Sequence, residues 1–79
     1  MSDNMHSHIT ELTPVVGAKY AVSIRGEQLY EATVCRAEGC WAVLRVEKPT
    51  PGKYEAMYNV GDTFEVKIAM YRFEQIGNS

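Results

Sequence analysis

LYEATVCRAEGCWAVLRVE, residues 29–47, decides the fold, because two runs of alternating apolar and polar residues flank a short polar interval. A period of two residues is typical of a strand that buries one face. Gly39 lies between the runs, where a tight turn needs a residue that accepts left-handed backbone. The stretch therefore predicts a β-hairpin. Its predicted inward side chains are Tyr30, Ala32, Val34, Ala42, Leu44 and Val46.

The pairing of these two strands fixes the direction in which the two cysteines point. A three-residue loop over 37–39 places Val34 opposite Ala42, so that apolar residues face each other. It sends Cys35 outward and Cys40 inward. Thiols on opposite faces of a sheet are unable to form a disulfide without backbone movement. We therefore predict that the two cysteines are not bridged.

A four-residue loop is the alternative, and it would set Cys35 opposite Cys40. That pairing allows a disulfide but mixes the core and solvent faces along the whole hairpin, so the shorter loop is favoured. A zinc site would need further ligands, and His6 and His8 are the only histidines. The spacing of the cysteines also differs from the C-x-x-C of metal and redox sites. We predict no metal site and no cofactor.

Alternation continues in AKYAVSIRGEQ over 18–28, KYEAMY over 53–58 and DTFEVKIAM over 62–70. KPTPGK at 48–53 interrupts these runs, because its prolines are unable to donate to a sheet ladder. Short strands without a helical period predict an all-β fold, a small five-stranded antiparallel barrel. An SH3-like barrel is favoured over the OB-like alternative, because no segment offers the helix that usually plugs an OB barrel.

The last strand contains a break in its alternation. Apolar residues occupy even positions from Phe64 to Met70, whereas Tyr71 and Phe73 are apolar at odd positions. One extra residue near 69–70 would exchange the two faces of the strand, as a β-bulge does. We predict a bulge or bend at that point; the alternative is that Tyr71 and Phe73 are exposed.

The first 14 residues, MSDNMHSHITELTP, are polar up to a proline. We predict a disordered leader over 1–14 and a single β-barrel domain over 15–79. The N-terminus lacks the charged-then-apolar order of a secretory signal. No run approaches the roughly 18 apolar residues of a membrane span. Together with two unpaired thiols, these features predict a cytoplasmic protein that does not contact a membrane.

Composition limits the function of this 79-residue chain. Eight Lys and Arg residues stand against ten Asp and Glu, which gives a net charge of −2. Binding to nucleic acid through phosphates needs clustered positive charge, and here the basic residues are scattered among acids. No nucleophile-elbow, zinc-protease, P-loop or dinucleotide motif occurs in the sequence. We therefore predict no enzyme activity and no small-molecule substrate.

Trp41 is the most informative candidate site residue, because the predicted hairpin sends it to the outer face. Tryptophan, tyrosine and arginine dominate the binding energy of protein interfaces. The alternative is that the leader or the 48–53 loop covers this side chain. The composition suits a protein-binding module, such as an adaptor, accessory subunit or inhibitor of the kind that phages and plasmids encode. The candidate partner-binding residues are Trp41, Val43, Arg45, Tyr54, Tyr58 and Tyr71.

A second hypothesis comes from YNVGDTFEVKI, residues 58–68. This segment resembles the part of S1-type RNA-binding domains in which a Val-Gly-Asp turn leads into an alternating strand, and YEATV, residues 30–34, is similar to their opening strand. The resemblance covers about a fifth of the chain and does not assign it to that family. It implies an OB-like barrel that binds single-stranded RNA by stacking bases on aromatic rings.

Overall fold

The computed structural model describes residues 14–76, and five antiparallel strands in these residues form one sheet. The strands are β1 Lys19–Ile24, β2 Glu27–Glu38, β3 Trp41–Pro49, β4 Thr63–Lys67 and β5 Arg72–Gln75. Their order across the sheet is β4-β3-β2-β1-β5. Two single-turn 3₁₀ helices, Glu55–Met57 and Ile68–Met70, lie on either side of β4. The predicted all-β class with five antiparallel strands is confirmed.

The predicted closure into a barrel is wrong. β4 and β5 are the two edges of the sheet, and no ladder joins them among the described residues. A closed barrel requires every strand to have a partner on both sides. The chain instead crosses from one edge of the sheet to the other through the turn at Ile68–Met70. The sheet is therefore open.

Most of the predicted leader lies outside the described residues. Pro14, its last residue, is buried. No helix in the part of the chain that the structure describes is long and apolar enough to cross a membrane.

The inner face of the sheet forms the core. Val22, Ala32, Leu44 and Val46 have no exposed surface, and the last three alternate with more exposed neighbours along their strands, as predicted. Burying one Val or Leu side chain contributes about 1.5–3 kcal/mol. Seven of the twelve buried hydrophobic residues belong to β2 and β3, so this hairpin supplies the largest share of that stabilisation.

Residues Arg25 and Gly26 form a two-residue loop between β1 and β2, because Ile24 pairs with Glu27. Their φ angles are 53° and 83°. Positive φ at both positions is characteristic of a type I′ turn, whose twist matches that of the flanking strands. Within residues 14–76, Arg25 is the only residue other than glycine with a positive φ. It therefore carries a backbone strain on the order of 1–2 kcal/mol.

The β2–β3 hairpin turns at Gly39 and Cys40, whereas a loop over 37–39 was predicted. Glu38 pairs with Trp41, which leaves a two-residue loop. Gly39 has a φ of 61°, and a positive φ at the first loop position is typical of a type II′ turn. The left-handed backbone predicted for Gly39 is confirmed, whereas the predicted loop length and strand pairing are wrong.

One extra residue in β2 keeps the predicted inner face despite this different turn. Val34 pairs with Leu44 and Arg36 pairs with Val43, so Cys35 has no residue opposite it in the hairpin. This β-bulge shifts the pairing by one residue. Without it, a turn at Gly39 would have exchanged the two faces of β2, because side chains alternate with a period of two.

Both cysteines are free and exposed. The predicted exposure of Cys35 is confirmed. Cys40 was predicted to point inward, but it lies in the turn itself and its side chain is exposed. Its backbone carbonyl accepts a hydrogen bond of 2.8 Å from the Ile68 amide, which connects the hairpin turn to the second 3₁₀ helix.

The run 53–58 is not a strand. Residues Glu55–Met57 form a 3₁₀ helix, and the Met57 amide donates to the Tyr54 carbonyl at 3.0 Å. The pattern of alternating aromatics arises because Tyr54 and Tyr58 both pack against the core from a loop. The fifth strand comes instead from the C-terminal run, which divides into β4 and β5.

The predicted bend near 69–70 is confirmed, although it is a turn of 3₁₀ helix and not a bulge. The Tyr71 amide donates to the Ile68 carbonyl at 3.2 Å. After this turn, Tyr71 and Phe73 pack against the core. The Phe73 ring meets the Tyr20 ring edge-on, with centroids 5.8 Å apart. The odd positions therefore face inward after the turn.

We expect Arg25→Asn to raise the free energy of unfolding by about 0.5–1 kcal/mol, because asparagine accepts the left-handed backbone that arginine occupies under strain. Urea unfolding monitored by circular dichroism measures the change. Arg25→Val is the opposing variant, and its branched side chain should lower the free energy of unfolding. A loss of stability in Arg25→Asn would contradict the assignment of the turn.

Candidate functional site

Three of the six candidate residues lie together on the outer face of β3. Trp41, Val43 and Arg45 alternate with the buried residues of that strand. Trp41 is 48% exposed, Val43 is half-buried and Arg45 is exposed. The exposure predicted for Trp41 is therefore present among the described residues. The 48–53 loop begins at the opposite end of β3 and does not cover this side chain.

Charged residues of both neighbouring strands flank the apolar side chains of Trp41 and Val43. Trp41 lies between Glu38 of β2 and Lys67 of β4. Val43 lies between Arg36 of β2 and Glu65 of β4, one pair further along the ladders. The whole surface is called the Trp41 face below. Its members are Arg36, Glu38, Trp41, Val43, Glu65 and Lys67.

A shallow groove of about 180 Å³ runs over the Trp41 face. Its lining residues are Arg36, Glu38, Trp41, Val43 and Glu65. The groove therefore combines one indole, one aliphatic side chain and three charged side chains.

The four charges of the Trp41 face form no ion pair within residues 14–76. Charged side chains on a sheet commonly pair across strands, yet here each apolar residue separates two opposite charges.

Arg45 differs from those four charges because it already has an ionic partner. Its Nε lies 3.4 Å from Glu47 Oε2, and the Thr33 hydroxyl donates to the same oxygen at 2.9 Å. The Thr33 hydrogen bond is the main cause that lowers the pKa of Glu47, and Arg45 adds to the effect. Arg45 therefore marks the border of the Trp41 face.

Tyr58 and Tyr71 belong to the inner side of the sheet and do not extend the Trp41 face. The Tyr58 ring lies 4.8 Å from the Tyr30 ring and 5.6 Å from the Phe64 ring, centroid to centroid. Tyr71 packs against the same core. Burial, with the nearby hydroxyls of Tyr71 and Tyr58, raises the pKa of Tyr30 far above its usual range. These tyrosines therefore serve as packing residues of the core.

Tyr54 lies near the other end of β2. Its hydroxyl donates to Glu27 Oε1, and Lys53 Nζ lies 3.3 Å from Glu27 Oε2. Lys53 Nζ also sits 5.2 Å from the centre of the Tyr54 ring. Glu27 begins β2 and Glu38 ends it, so this cluster is separated from the Trp41 face by the length of the strand. It fastens the 50–62 loop to the start of β2.

Sequence reasoning missed the four charged members of the Trp41 face. Arg36, Glu38, Glu65 and Lys67 are unremarkable as single residues, because charges on the polar side of a strand are common. Their arrangement depends on the turn at Gly39 and on the bulge in β2. A strand pairing predicted with that turn and that bulge would have placed the four charges around Trp41.

Among the described residues, no group of three or more His, Cys, Asp and Glu side chains is placed to hold a metal ion. Comparison with known protein families, with curated proteins and with solved structures finds no match to this chain. The Trp41 face is therefore interpreted from its own chemistry.

We expect the stabilising effect of the Tyr54 hydroxyl to decrease on acidification. The Tyr54 hydrogen bond, followed by Lys53, lowers the pKa of Glu27 below its ordinary value of 4.5. A lowered carboxyl pKa stabilises the fold above the ordinary pKa, and that stabilisation is lost as the pH falls through the folded-state value.

The measurement compares the free energies of unfolding of the wild type and Tyr54→Phe between pH 7 and pH 3. Their difference should be largest at neutral pH and should shrink below about pH 4.5. Tyr58→Phe is the matched control, and its difference from the wild type should not change over that range. A Tyr54→Phe difference that is constant with pH would contradict the role of Glu27.

Proposed function

We propose that this protein is a non-enzymatic protein-binding module that acts as an adaptor, accessory subunit or inhibitor through the Trp41 face. The observation that carries the proposal is the exposed indole of Trp41 at the centre of a sheet face whose four charges form no ion pair within residues 14–76. A reducing, cytoplasmic location belongs to the same proposal and is supported by the two exposed free thiols.

The energetic argument begins with the area of the indole. A tryptophan side chain presents up to about 250 Å², and nearly half of Trp41 is exposed. At about 25 cal/mol per Å², covering that surface contributes about 2–3 kcal/mol. This is the size of effect that defines a hot-spot residue in a protein interface. Trp41 alone therefore supplies a useful anchor for a partner.

The charged rim supplies orientation. Two positive and two negative side chains surround the apolar centre of the Trp41 face, as a polar rim surrounds the centre of an interface. A partner must place charges of both signs at matching positions, because like charges brought together are repelled. A protein surface carries mixed charges of this kind, whereas a phosphate backbone is uniformly negative.

Addition of a partner strand to a sheet edge is the other mode of protein binding that this fold offers. The exposed edges are β4 and β5, with five and four residues. Short edges with charged side chains are poor templates for strand addition. The Trp41 face is therefore the better candidate surface.

An SH3-like topology is part of the proposal. The order β4-β3-β2-β1-β5 comes from four successive antiparallel strands, with β5 returning to β1 after a 3₁₀ turn. That arrangement supports an SH3-like fold more than the Greek key of an OB fold. YEATV, which resembles the opening strand of S1-type domains, lies within the second strand here. RNA binding therefore has less support than protein binding.

The experiment is affinity capture from the producing cells with three tagged proteins: the wild type, Trp41→Ser and Met57→Ser. Met57 is 61% exposed on the first 3₁₀ helix, so its substitution removes a comparable apolar side chain elsewhere. We expect a protein retained by the wild type and Met57→Ser to bind Trp41→Ser at least tenfold more weakly. Circular dichroism should be native for all three.

Two results would contradict this function. One is a set of captured proteins that does not change in Trp41→Ser. The other is retention of RNA alone, in a filter-binding titration whose affinity falls steeply as salt is raised.

A further inference from the structure

The charges around Trp41 alternate in sign so that the face is complementary to itself. On the β2 side, Glu38 lies beside the tryptophan and Arg36 beside the valine. On the β4 side the order of signs is reversed, with Lys67 beside the tryptophan and Glu65 beside the valine. The four charges therefore form a two-by-two checkerboard with an apolar strip through its middle.

We propose that the Trp41 face binds a second copy of this chain in a symmetric, face-to-face dimer. This inference rests on the proposed function and names its partner. The two-fold axis lies in the plane of the face, perpendicular to β3 and between Trp41 and Val43. Such an isologous contact uses the same patch on both copies. It places the large indole of each copy on the smaller valine of the other.

The same axis satisfies all four charges. Glu38 comes opposite Arg36 of the second copy, and Lys67 comes opposite Glu65 of the second copy. By symmetry each contact occurs twice, so each of the four charges, which form no ion pair within the described residues, gains a partner of opposite sign. Two sheets that pack face to face lie about 10 Å apart, a gap that side chains of this size fill.

A different axis, parallel to β3, also pairs opposite charges. It would bring Glu38 opposite Lys67 of the second copy, but it would also set Arg45 against Arg45 of the second copy. The axis perpendicular to β3 avoids that repulsion, because it moves Arg45 past the Trp41 face toward the Gly39–Cys40 turn. The perpendicular axis is therefore the arrangement proposed here.

The dimer is weak and depends on concentration. Six side chains make a patch at the small end of interface sizes, and the expected dissociation constant is weaker than about 1 μM. The net charge of −2 leaves little overall repulsion between two copies.

Sedimentation equilibrium of the full chain from about 1 μM to about 1 mM tests self-association. Trp41 is the only tryptophan, so its fluorescence provides an independent readout. We expect a monomer–dimer equilibrium and a shift of the emission to shorter wavelength as the concentration rises. Trp41→Ser should weaken dimerisation at least tenfold, and Met57→Ser should leave it unchanged.

Two double charge exchanges, each with an unchanged net charge, test the axis. Arg36→Glu with Glu38→Arg keeps opposite charges together across the perpendicular axis, so this variant should dimerise within about threefold of the wild type. Glu38→Lys with Lys67→Glu puts like charges together across that axis and should dimerise at least tenfold more weakly. Weak dimerisation of the first variant together with near-wild-type dimerisation of the second would overturn the proposed arrangement.

A wild type that is monomeric up to about 1 mM, with an emission that does not shift, would overturn self-association. The proposed function would survive that result if Trp41→Ser still lost a captured protein. The proposed function would fail if capture did not change in Trp41→Ser, whatever the state of association.

Discussion

The extra residue at Cys35 is the constraint on which the rest of the structure depends. A hairpin has one register for each turn, and side chains alternate along it with a period of two. With the turn at Gly39 and Cys40, an unbroken ladder would turn Val34 and Ala32 away from the core. The bulge shifts β2 by one residue, so that these residues stay buried while Arg36 and Glu38 face outward beside Trp41.

The two faces of the sheet consequently have different chemistry. The inner face is closed by packing, and the rings of Tyr30 and Tyr58 contact each other there. The outer face keeps an exposed indole and four charges that form no ion pair in the part of the chain that the structure describes. A domain this small has little stability to spare. In the proposed function, the exposed indole of Trp41 is the anchor for another molecule.

Self-association through this face would compete with any other partner that uses Trp41. In the proposed dimer, the Trp41 face would be free at low protein concentration and covered by a second copy at high concentration. The fraction of such an adaptor or inhibitor that is free to bind another partner would then fall as its own concentration rises. Every side chain in the proposed contact belongs to a paired strand and not to a loop.

The sequence by itself determined the local features. The period of two predicted the buried residues Leu44 and Val46, the glycine predicted a left-handed turn residue, and the change of phase before Tyr71 predicted a bend. These properties depend only on neighbours along the chain. The tertiary structure decided the turn at Gly39 and Cys40, the open sheet, the 3₁₀ helix at 55–57 and the charges around Trp41. The charges around Trp41 depend on which residues of neighbouring strands lie opposite one another, and a shift of β2 by one residue would replace Arg36 and Glu38 beside Trp41 without changing the alternation of the sequence.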